Sequence, residues 1–427
     1  MKRRPARQPT PVVGPVRELA IVRMGAQSDG ISDDGVFVAG ALPGEQVRAA
    51  VTGDRGELVE VLQASAERVT PPCPHFGRCG GCSLQHLAEA PQLAWKAEQI
   101  RQDLARERIE TDILPAFAAP PGSRRRLALH ARKGGPEGAT IGFKARRSWT
   151  LVPIEVCPVA DPRLVAAFPA LRRLAAGLFE NPKSAPILHV TLTETGLDVD
   201  VSGVERKAGG LSADARQRVA EAAAAADFAR VSLDGEALYQ SREAVVRIGP
   251  AMVALPPGGF LQAVAEAEAA MAAFALEALS GAKAVADLYC GVGAFALRLA
   301  TQAPVNAYDI SAPAIKALSA AQASATSLKP IRAEARDLVR RPVLAEDLKR
   351  IDAVVIDPPR AGAYEQHREL ARSGVARVVG VSCNPSTFAR DARLLIDAGF
   401  VLERLMPVDQ FLWSAHIELV GLFARRT

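Results

Sequence analysis

The second half of the chain alternates helical and extended segments, and this alternation restricts the possible folds more than any other feature of the sequence. Residues 263–279 and 292–300 have helical patterns. Extended apolar segments lie at residues 284–288, 305–309, 353–356, 378–381 and 417–423. Strands that alternate with helices form largely parallel sheets that are covered by helices. We therefore predict an α/β domain over residues 256–427.

The first half has a different organisation. Residues 16–65 alternate short apolar runs with turn signals, which predicts a small β-barrel. Residues 93–108 read as an amphipathic helix, and residues 124–255 mix strand-like and helical patterns. A chain of 427 residues is too long for one ordinary core. The sequence thus predicts a multidomain protein with a barrel, a mixed α+β central region and the α/β domain.

Composition excludes several classes of protein. Hydrophobic residues make up 49% of the chain and charged residues 23%, which is typical of soluble globular proteins. No apolar stretch approaches the roughly 18 residues of a membrane helix. Residues 1–7 are basic, but prolines at positions 9, 11 and 15 follow instead of an apolar secretion core. We expect a cytoplasmic protein with a basic tail, residues 1–15, and no membrane association.

Basic residues are concentrated between residues 122 and 149. The whole chain is only mildly basic, with 52 Lys+Arg against 47 Asp+Glu. This segment has one acid, Glu137, against Arg124, Arg125, Arg126, Arg132, Lys133, Lys144, Arg146 and Arg147. Such clusters favour polyphosphate partners, which predicts a contact with RNA. A solvated hairpin surface is the alternative.

A glycine motif between a strand and a helix predicts a cofactor site. Gly291 and Gly293 follow the extended segment 284–288, so the backbone there can approach a ligand closely. The motif alone also suits dinucleotides or a tight turn. Asp309 ends the next strand, where its carboxylate can accept hydrogen bonds from ribose, and Asp337 lies where an adenine contact is expected. The layout predicts a nucleotide-like cofactor at the carboxyl ends of the strands.

Asp357-Pro358-Pro359-Arg360 closes another strand with a stiff loop. Such a loop can hold a group rigidly beside the cofactor. Enzymes that methylate amines have an aromatic residue after a comparable turn, where it stacks on the target base. Arg360 occupies that position here, which argues against methylation of an exocyclic amine.

Cys383 and Glu418 are the candidate catalytic residues. Cys383 lies between a strand and a helix, where the helix N-terminus favours a thiolate. A thiolate that adds to carbon 6 of uracil makes carbon 5 nucleophilic, and a base must later remove the carbon 5 proton. Glu418 is the candidate base, and His416 the residue that orients it. Considered alone, Cys383 would more often be an inert buried cysteine and Glu418 a surface acid.

These motifs together resemble the bacterial uracil-5 RNA methyltransferases, especially the branch that acts on 23S ribosomal RNA. The resemblance covers nearly the whole chain. Its most specific part is the run of residues 357–362, fifteen intervening residues, and the run 378–387. It implies a Rossmann-like class I methyltransferase sheet, with Cys383 as nucleophile and Glu418 as base. It also implies that S-adenosylmethionine is contacted by Gln262, Tyr289, Asp309 and Asp357.

Three positions depart from the family pattern. Gly380 stands where the family usually has Tyr, Asp309 where Glu is commoner, and Val264 where Asn commonly follows the Gln262 motif. Asp309 is a shorter acid with the same hydrogen-bonding capacity, so the expected cofactor is unchanged. The residues at positions 380 and 264 are expected to alter local packing or the donor pocket.

Four cysteines resemble the iron-sulfur site of the same family. Cys73, Cys79 and Cys82 have the spacing C-x5-C-x2-C, and Cys157 follows after seventy-four residues. Four thiolates suit a [4Fe-4S] cluster, although the spacing also permits a structural zinc ion. Because methyl transfer needs no electron, we expect a structural or RNA-organising role, with redox sensing left open.

The resemblance also divides the chain into domains. Residues 16–68 look like the OB-like RNA-binding barrel called TRAM, residues 69–255 like the central RNA-binding domain with the cysteines, and residues 256–427 like the methyltransferase domain. The bacterial relatives that act on transfer RNA usually lack both barrel and cluster, so the expected partner is 23S ribosomal RNA, with no protein partner. The same chemistry on transfer RNA, a noncatalytic iron-sulfur ribosome-assembly factor and a nicotinamide oxidoreductase are the alternatives.

Overall fold

The computed structural model describes residues 14–205 and 210–426. The predicted basic tail, apart from its last two residues, lies outside these ranges. The described chain divides into two compact units. The first comprises the chain up to residue 77 with residues 82–92 and 413–415, and the second comprises residues 78–81, 93–412 and 416–427. Within the described ranges, no helix is both long enough and apolar enough to cross a membrane.

The first unit contains a closed β-barrel with strand order β1-β2-β3-β5-β4. Its strands are β1 (Val16–Met24), β2 (Asp29–Ser32), β3 (Phe37–Ala39), β4 (Gln46–Thr52) and β5 (Arg55–Gln63). Alternate residues of β1 and β4, such as Leu19, Ile21 and Val47, fill the interior. Gly30 permits a close approach, because a Cβ there would lie 2.7 Å from the carbonyl oxygen of Ala41. The predicted N-terminal barrel is confirmed.

A long helix and two short strands follow the barrel. They are α1 (Glu89–Arg106), β6 (Asp112–Ile113) and β7 (Phe117–Ala118). The predicted helix at residues 93–108 is confirmed, although it begins earlier. In the second unit, Lys96 of this helix is buried and donates to the carboxylate of Asp409 over 2.6 Å.

The central part of the second unit is a mixed sheet with strand order β10-β9-β8-β11-β12-β13-β14. Its strands and helices are β8 (Arg126–Lys133), a 3-10 turn (Pro136–Gly138), β9 (Ala139–Lys144), β10 (Leu151–Pro153), α2 (Pro162–Ala166), α3 (Phe168–Ala176), β11 (Ile187–Thr193), β12 (Gly196–Ser202), α4 (Ala213–Ala225), β13 (Arg230–Leu233) and β14 (Glu236–Gln240). One sheet face packs on α3 and α4, and Leu129, Leu188 and Val219 contribute to this core. A two-stranded ribbon follows, with β15 (Val245–Ile248) and β16 (Ala251–Ala254).

The C-terminal part of the second unit is the predicted α/β sheet, which is confirmed. Its elements are α5 (Ala265–Ala278), β17 (Val285–Leu288), α6 (Ala296–Leu299), β18 (Val305–Asp309), α7 (Ala312–Ser324), β19 (Ile331–Ala335), β20 (Ala353–Ile356), α8 (Tyr364–Arg372), β21 (Arg377–Ser382), α9 (Pro385–Asp397), β22 (Phe400–Asp409) and β23 (Glu418–Arg425). The order is β19-β18-β17-β20-β21-β23-β22-β6, and β7 also pairs with β22. Apolar cores cover both faces, as expected of parallel strands.

The last strand, β23, lies inside the sheet and not at its edge. The five strands β17 to β21 run parallel to one another. β23 lies between β21 and β22 and is antiparallel to both. Ser382, the last residue of β21, pairs with Leu419. Glu418, the first residue of β23, therefore lies at the same sheet edge as Cys383, which directly follows β21.

Candidate active site

A cavity of about 940 Å³ opens at the edge where the parallel strands end. Its walls come from the loops after these strands, from the segment before α5 and from one side of β8 and β11. The structure brings all the predicted catalytic and donor-contacting residues onto this cavity: Gln262, Tyr289, Asp309, Asp337, Asp357, Cys383 and Glu418. Ligand sites of open α/β sheets lie at this edge, so the position suits a nucleotide-like ligand.

The glycine loop is fixed by Asp309. One carboxylate oxygen of Asp309 accepts from the backbone N–H of Gly291 at 2.9 Å, and the other from that of Ser311 at 2.8 Å. Tyr289 has a φ of 65°, a conformation that few non-glycine residues adopt and that is enriched at functional sites. A Cβ at Gly291 would meet open space, so a ligand can approach the backbone there. Each oxygen of Asp309 keeps a lone pair for a ligand hydroxyl.

Asp337 belongs to the loop after β19. Its Oδ1 accepts from the backbone N–H groups of Val339 at 3.0 Å and Arg340 at 3.2 Å, which fixes the start of the next turn. Burial raises the pKa of Tyr289 to about 12, and the nearby charge of Asp337 contributes to this shift. The predicted ribose and adenine contacts thus lie on neighbouring loops of one cavity wall.

Three buried acids have raised pKa values, and two of them, Asp357 and Glu418, line the cavity. Burial, with the charges of Asp357 and Asp309, raises the pKa of Asp287 to about 8. Burial also raises the pKa of Asp357 to about 7, although a hydrogen bond from Gln262 opposes the shift. Burial and the charge of Asp357 raise the pKa of Glu418 to about 8. A ligand with positive charge would lower these pKa values, because opposite charges favour the ionised carboxylates.

Gln410 connects the predicted base to the predicted donor-binding residues. Its Nε2 donates to Glu418 and to the side-chain oxygen of Gln262, both at 2.8 Å. Its own oxygen accepts from the backbone N–H of Ala263 at 3.1 Å. Gln262 in turn donates to Asp357 at 3.1 Å. One buried amide therefore fixes the orientation of both Gln262 and Glu418.

Replacing Gln410 with leucine should reduce kcat/KM for methyl transfer. The change removes the hydrogen bonds of Gln410 to the side-chain oxygen of Gln262, the N–H of Ala263 and Glu418. The loss of orientation at Glu418 alone is expected to cost about 1–3 kcal/mol, the penalty of one unsatisfied buried group, which corresponds to a loss of about 5- to 150-fold. Steady-state kinetics with varied donor and RNA measure it. Gln366→Leu is the matched control, since it removes an equally buried glutamine bonded to the backbone of Val343. Equal losses in both variants would contradict a specific role for Gln410.

The cysteine loop is tied to the proline-rich loop. The side chains of Asn384 and Thr387 donate to the carbonyl oxygen of Arg360 at 3.1 and 3.3 Å. Pro385 occupies the first turn of α9, as the sequence predicts for the residues after the nucleophile. Contrary to the expected effect of the helix N-terminus, the pKa of Cys383 is raised by burial and by Glu418 and Asp357, while Arg360 opposes this shift.

These shifts predict that formation of free methylated RNA, which includes removal of the carbon 5 proton by the expected base Glu418, accelerates with pH. Cys383 must lose a proton to act as nucleophile, and its pKa is raised. Glu418 must be ionised to accept one, and its pKa is about 8. Single-turnover rates with saturating RNA and donor should therefore rise from about pH 6.5 to about pH 8.5, by up to about tenfold per unit. A flat profile over this interval would contradict the participation of these groups.

Two arginines of the basic segment have a structural role. Arg125 is buried, pairs with Glu268 at 2.7 Å and donates to the carbonyl oxygen of Gln262 at 3.1 Å. Arg126 donates to the carbonyl oxygens of Leu261 at 2.6 Å and Gly259 at 3.2 Å. Both arginines therefore hold the Gln262 loop against β8, a role that the charge pattern alone did not predict.

The departures from the family pattern have local explanations. A Cβ at Gly380 would lie 3.1 Å from the Phe388 ring, and the facing Gly421 has the same separation. The two glycines thus make room for Phe388, whose ring packs on Phe423 with centroids 5.7 Å apart. Val264 is buried and precedes α5 without a side-chain cap. The expectation of altered packing at position 380 agrees with these contacts.

The structure does not support the predicted iron-sulfur site. Cys73, Cys79, Cys82 and Cys157 are all partly exposed. Across residues 14–205 and 210–426, no group of three or more His, Cys, Asp or Glu side chains is arranged to hold a metal ion. The thiol of Cys79 accepts from the backbone N–H of Gly81 at 3.4 Å.

The residues that sequence reasoning missed are Gln410 and the arginines that hold the Gln262 loop. Gln410 directly follows β22, a strand that the sequence pattern did not predict. The signal was present in the alternation of residues 400–409, whose buried positions end beside Gln410. His416 was predicted to orient Glu418, and this stays a prediction; Gln410 donates a hydrogen bond to that carboxylate.

Comparisons with known proteins identify relatives over nearly the whole chain. Residues 252–427 match the family model described as tRNA (Uracil-5-)-methyltransferase. An uncharacterized RNA methyltransferase of Caulobacter vibrioides is 63% identical over 96% of this chain and 100% of its own length. The 23S rRNA (uracil(1939)-C(5))-methyltransferase RlmD of Pseudomonas entomophila is 36% identical over 96% of this chain and 94% of its own.

A solved structure has the same fold over nearly the whole chain. The tRNA (uracil-54, C5)-methyltransferase of Pyrococcus abyssi, in complex with S-adenosyl-L-homocysteine, superposes with a TM-score of 0.73. It is 22% identical and covers 95% of this chain and 99% of its own. With the two full-length relatives and the match over the catalytic region, the chain belongs to the RNA uracil-5 methyltransferase family.

Proposed function

We propose that the protein transfers a methyl group from S-adenosylmethionine to carbon 5 of a uridine in 23S ribosomal RNA, through a covalent adduct at Cys383. The observation on which this depends most is the shared cavity of Cys383 and Glu418. The antiparallel insertion of β23 beside β21 brings Cys383 and Glu418 to one sheet edge, which supports their proposed roles as nucleophile and base. Family membership and the donor-side loops support the same reaction.

The methyl donor is expected on the side of the cavity formed by the glycine loop. Asp309 and Asp337 would bind the ribose and adenine, while Gln262, Tyr289 and Asp357 would contact the remainder of the donor. S-adenosylmethionine supplies an electrophilic methyl group. The buried carboxyl groups of Asp357 and Glu418 on the cavity wall fit a cationic ligand, because a positive charge offsets the free-energy cost of ionising them.

The reaction then depends on two proton movements and one reversible bond. The thiolate of Cys383 adds to carbon 6 of the uracil ring, and carbon 5 becomes nucleophilic and accepts the methyl group. The carboxylate of Glu418 removes the carbon 5 proton, and the bond between carbon 6 and the sulfur breaks. Because a stacked base is inaccessible to Cys383, the uridine must leave its stack to enter the cavity.

Ribosomal RNA is the substrate that we favour. The Pseudomonas relative, which acts on 23S rRNA by its name, is alignable over 96% of this chain. The Pyrococcus protein, named for transfer RNA, shares the fold at lower identity. The N-terminal barrel, which resembles TRAM, supports an RNA contact outside the catalytic unit. Substrate specificity can differ between relatives of one fold, so the choice needs a direct test.

Labelled methyl transfer to two RNA pools tests the proposal. The full-length protein, S-adenosylmethionine and unmodified 23S ribosomal RNA or transfer RNA are combined, and nucleosides are identified by mass spectrometry. We expect 5-methyluridine in ribosomal RNA alone. Product in transfer RNA alone would contradict the substrate and keep the chemistry. A protein that binds both RNA and donor without forming product would contradict catalysis and favour a noncatalytic assembly factor.

The [4Fe-4S] cluster stays a proposal that depends on cysteine spacing alone. Cys73, Cys79, Cys82 and Cys157 match the spacing of the family's cluster, and four thiolates suit this metal group. Two measurements on anaerobically purified protein test it: the visible absorbance spectrum, and the content of iron and sulfide. Four iron and four sulfide per chain would support the cluster, and bound zinc would favour the alternative. Absence of both iron and zinc would exclude these metal sites at the four cysteines.

A further inference from the structure

The central sheet has an apolar face and a polar face, and the polar face continues the wall of the catalytic cavity. Leu129, Ile141 and Leu188 lie on the apolar face, in the core formed with α3 and α4. Alternation along the strands places the intervening residues on the opposite face. These are Arg126, Ala128, His130, Lys144 and His189. Because Arg126, Ala128 and His189 line the cavity, the same surface extends beyond it.

Lys144 lies at the cavity end of this polar face. β8 and β9 are antiparallel, and His130 pairs with Gly142. Lys144 lies two residues beyond Gly142 on β9. Because the strands are antiparallel, its position is closer than that of Gly142 to the end of β8 at which Arg126 lies. Burial lowers the pKa of His130, and the charges of Lys144 and His189 lower it further, so these basic groups face one another. A line of basic side chains thus leads from the cavity toward the β9–β10 hairpin.

The hairpin itself presents an exposed tryptophan. The Trp149 side chain is 87% exposed, and Lys144 Nζ lies 3.7 Å from the centroid of its ring. The turn is held by hydrogen bonds from Ala145 N to the Thr150 carbonyl oxygen at 2.8 Å and from Ser148 N to the Ala145 carbonyl oxygen at 3.1 Å. An indole this exposed on an ordered turn is unusual, because tryptophan is highly buried on average.

The charge of the hairpin indicates the class of ligand. Residues 138–154 contain no Asp or Glu, but they include Lys144, Arg146 and Arg147. Single-stranded nucleic acid is bound by cationic grooves that follow the phosphates and by aromatic rings on which bases stack. An acidic protein would complement the cations, but it would provide no planar partner for the exposed indole. An RNA strand complements both features.

We propose that the β9–β10 hairpin is a second RNA-binding site, where Trp149 stacks on an unpaired base outside the catalytic cavity. Lys144, Arg146 and Arg147 lie beside the neighbouring phosphates. The continuous polar sheet face connects this site to the cavity, so one RNA element occupies both. The inference depends on the proposed function for the identity of its ligand. It adds a positioning residue that holds the RNA while its uridine enters the cavity.

Fluorescence and kinetics of the full-length protein test this site. The tryptophans are Trp95, Trp149 and Trp413, so the difference between wild type and Trp149→Phe isolates the emission of Trp149. Unmodified 23S ribosomal RNA should quench this component, because stacking on a base quenches an indole. Trp149→Ala should raise KM for the RNA by about 5- to 150-fold, the range expected for one stacked base. Trp149→Phe, which keeps a ring, should recover most of this loss.

Tyr364→Ala is the matched control. Tyr364 is another exposed aromatic residue in the same unit, and it also has a cation over its ring. The guanidinium carbon of Arg390 lies 5.7 Å from the centroid of that ring. The Tyr364→Ala variant should keep the wild-type KM for RNA. Unchanged KM and unquenched emission at Trp149, in a protein that methylates RNA, would overturn the hairpin site and leave the proposed function intact. Quenching at Trp149 without any methylated nucleoside would support the hairpin site and contradict the proposed function.

Discussion

Replacement of Cys383 with alanine is expected to lower methyl transfer by more than about 10⁴-fold, because the ring cannot be activated without a thiolate at carbon 6. No covalent complex with RNA should form. Initial rates with labelled S-adenosylmethionine measure the first effect. Denaturing gels of protein incubated with RNA that contains 5-fluorouridine measure the second, since fluorine at carbon 5 cannot be removed as a proton and the adduct persists.

Two controls separate lost chemistry from lost structure. Donor binding by Cys383→Ala, measured by calorimetry, should match wild type, because Gln262, Asp309 and Asp337 remain. Cys383→Ser keeps the size of the side chain but replaces the thiol with a hydroxyl of much higher pKa, so it should be equally inactive. Methyl transfer by Cys383→Ala above about one hundredth of the wild-type rate would contradict covalent catalysis.

Glu418→Gln should trap the reaction after methyl transfer. Glutamine has the same shape and can still accept the hydrogen bond from Gln410, but it cannot take the carbon 5 proton. We expect turnover to fall by about 10²- to 10⁴-fold, the range of general base catalysis. A complex of protein and RNA that carries the labelled methyl group should accumulate on denaturing gels, at up to one equivalent per chain.

The accumulated adduct distinguishes this role from a structural one. A variant that merely folded poorly would lose both turnover and adduct. Glu365→Gln, at an exposed position of α8 that contacts Arg368, is the control and should show neither effect. Wild-type turnover by Glu418→Gln, or lost turnover with an unmethylated adduct, would assign the proton abstraction to another group.

Buried parallel strands were predictable because their residues are apolar on both faces. The predicted segment 353–356 coincides with β20, and segment 378–381 lies within β21. The site residues at the ends of these strands were predictable for the same reason, since parallel strands end at one sheet edge. Asp309, Asp357 and Cys383 thus meet at the cavity that their positions in the sequence indicated.

Contacts between distant segments were not predictable from periodicity. The insertion of β23 between β21 and β22 depends on tertiary packing, and it determines the position of Gln410 beside Glu418. Arg125 resembled a surface charge, yet it is buried because Glu268, 143 residues later, offers a carboxylate at 2.7 Å. A run of basic residues therefore combines internal ion pairs with surface cations, which one-dimensional charge patterns cannot separate.

The predicted helix at residues 292–300 was too long. Only Ala296–Leu299 is α-helical, because the preceding residues form the loop that Asp309 holds through Gly291. Gly293 has a φ of 97°, and a Cβ there would lie 2.5 Å from the side chain of Leu318. The loop therefore needs glycine at this position for both conformation and space. Local helical pattern is overridden where the chain forms a ligand site.

The most direct measurement of substitution at carbon 5 is the release of tritium from RNA that contains [5-³H]uridine. The protein is incubated with this ribosomal RNA and S-adenosylmethionine, and tritium in water is counted beside the methyl groups incorporated. We expect one tritium released for each methyl group in wild type, and none from Cys383→Ala. Methyl incorporation without release of tritium would show that another atom is methylated, and it would contradict the assignment of Cys383 and Glu418.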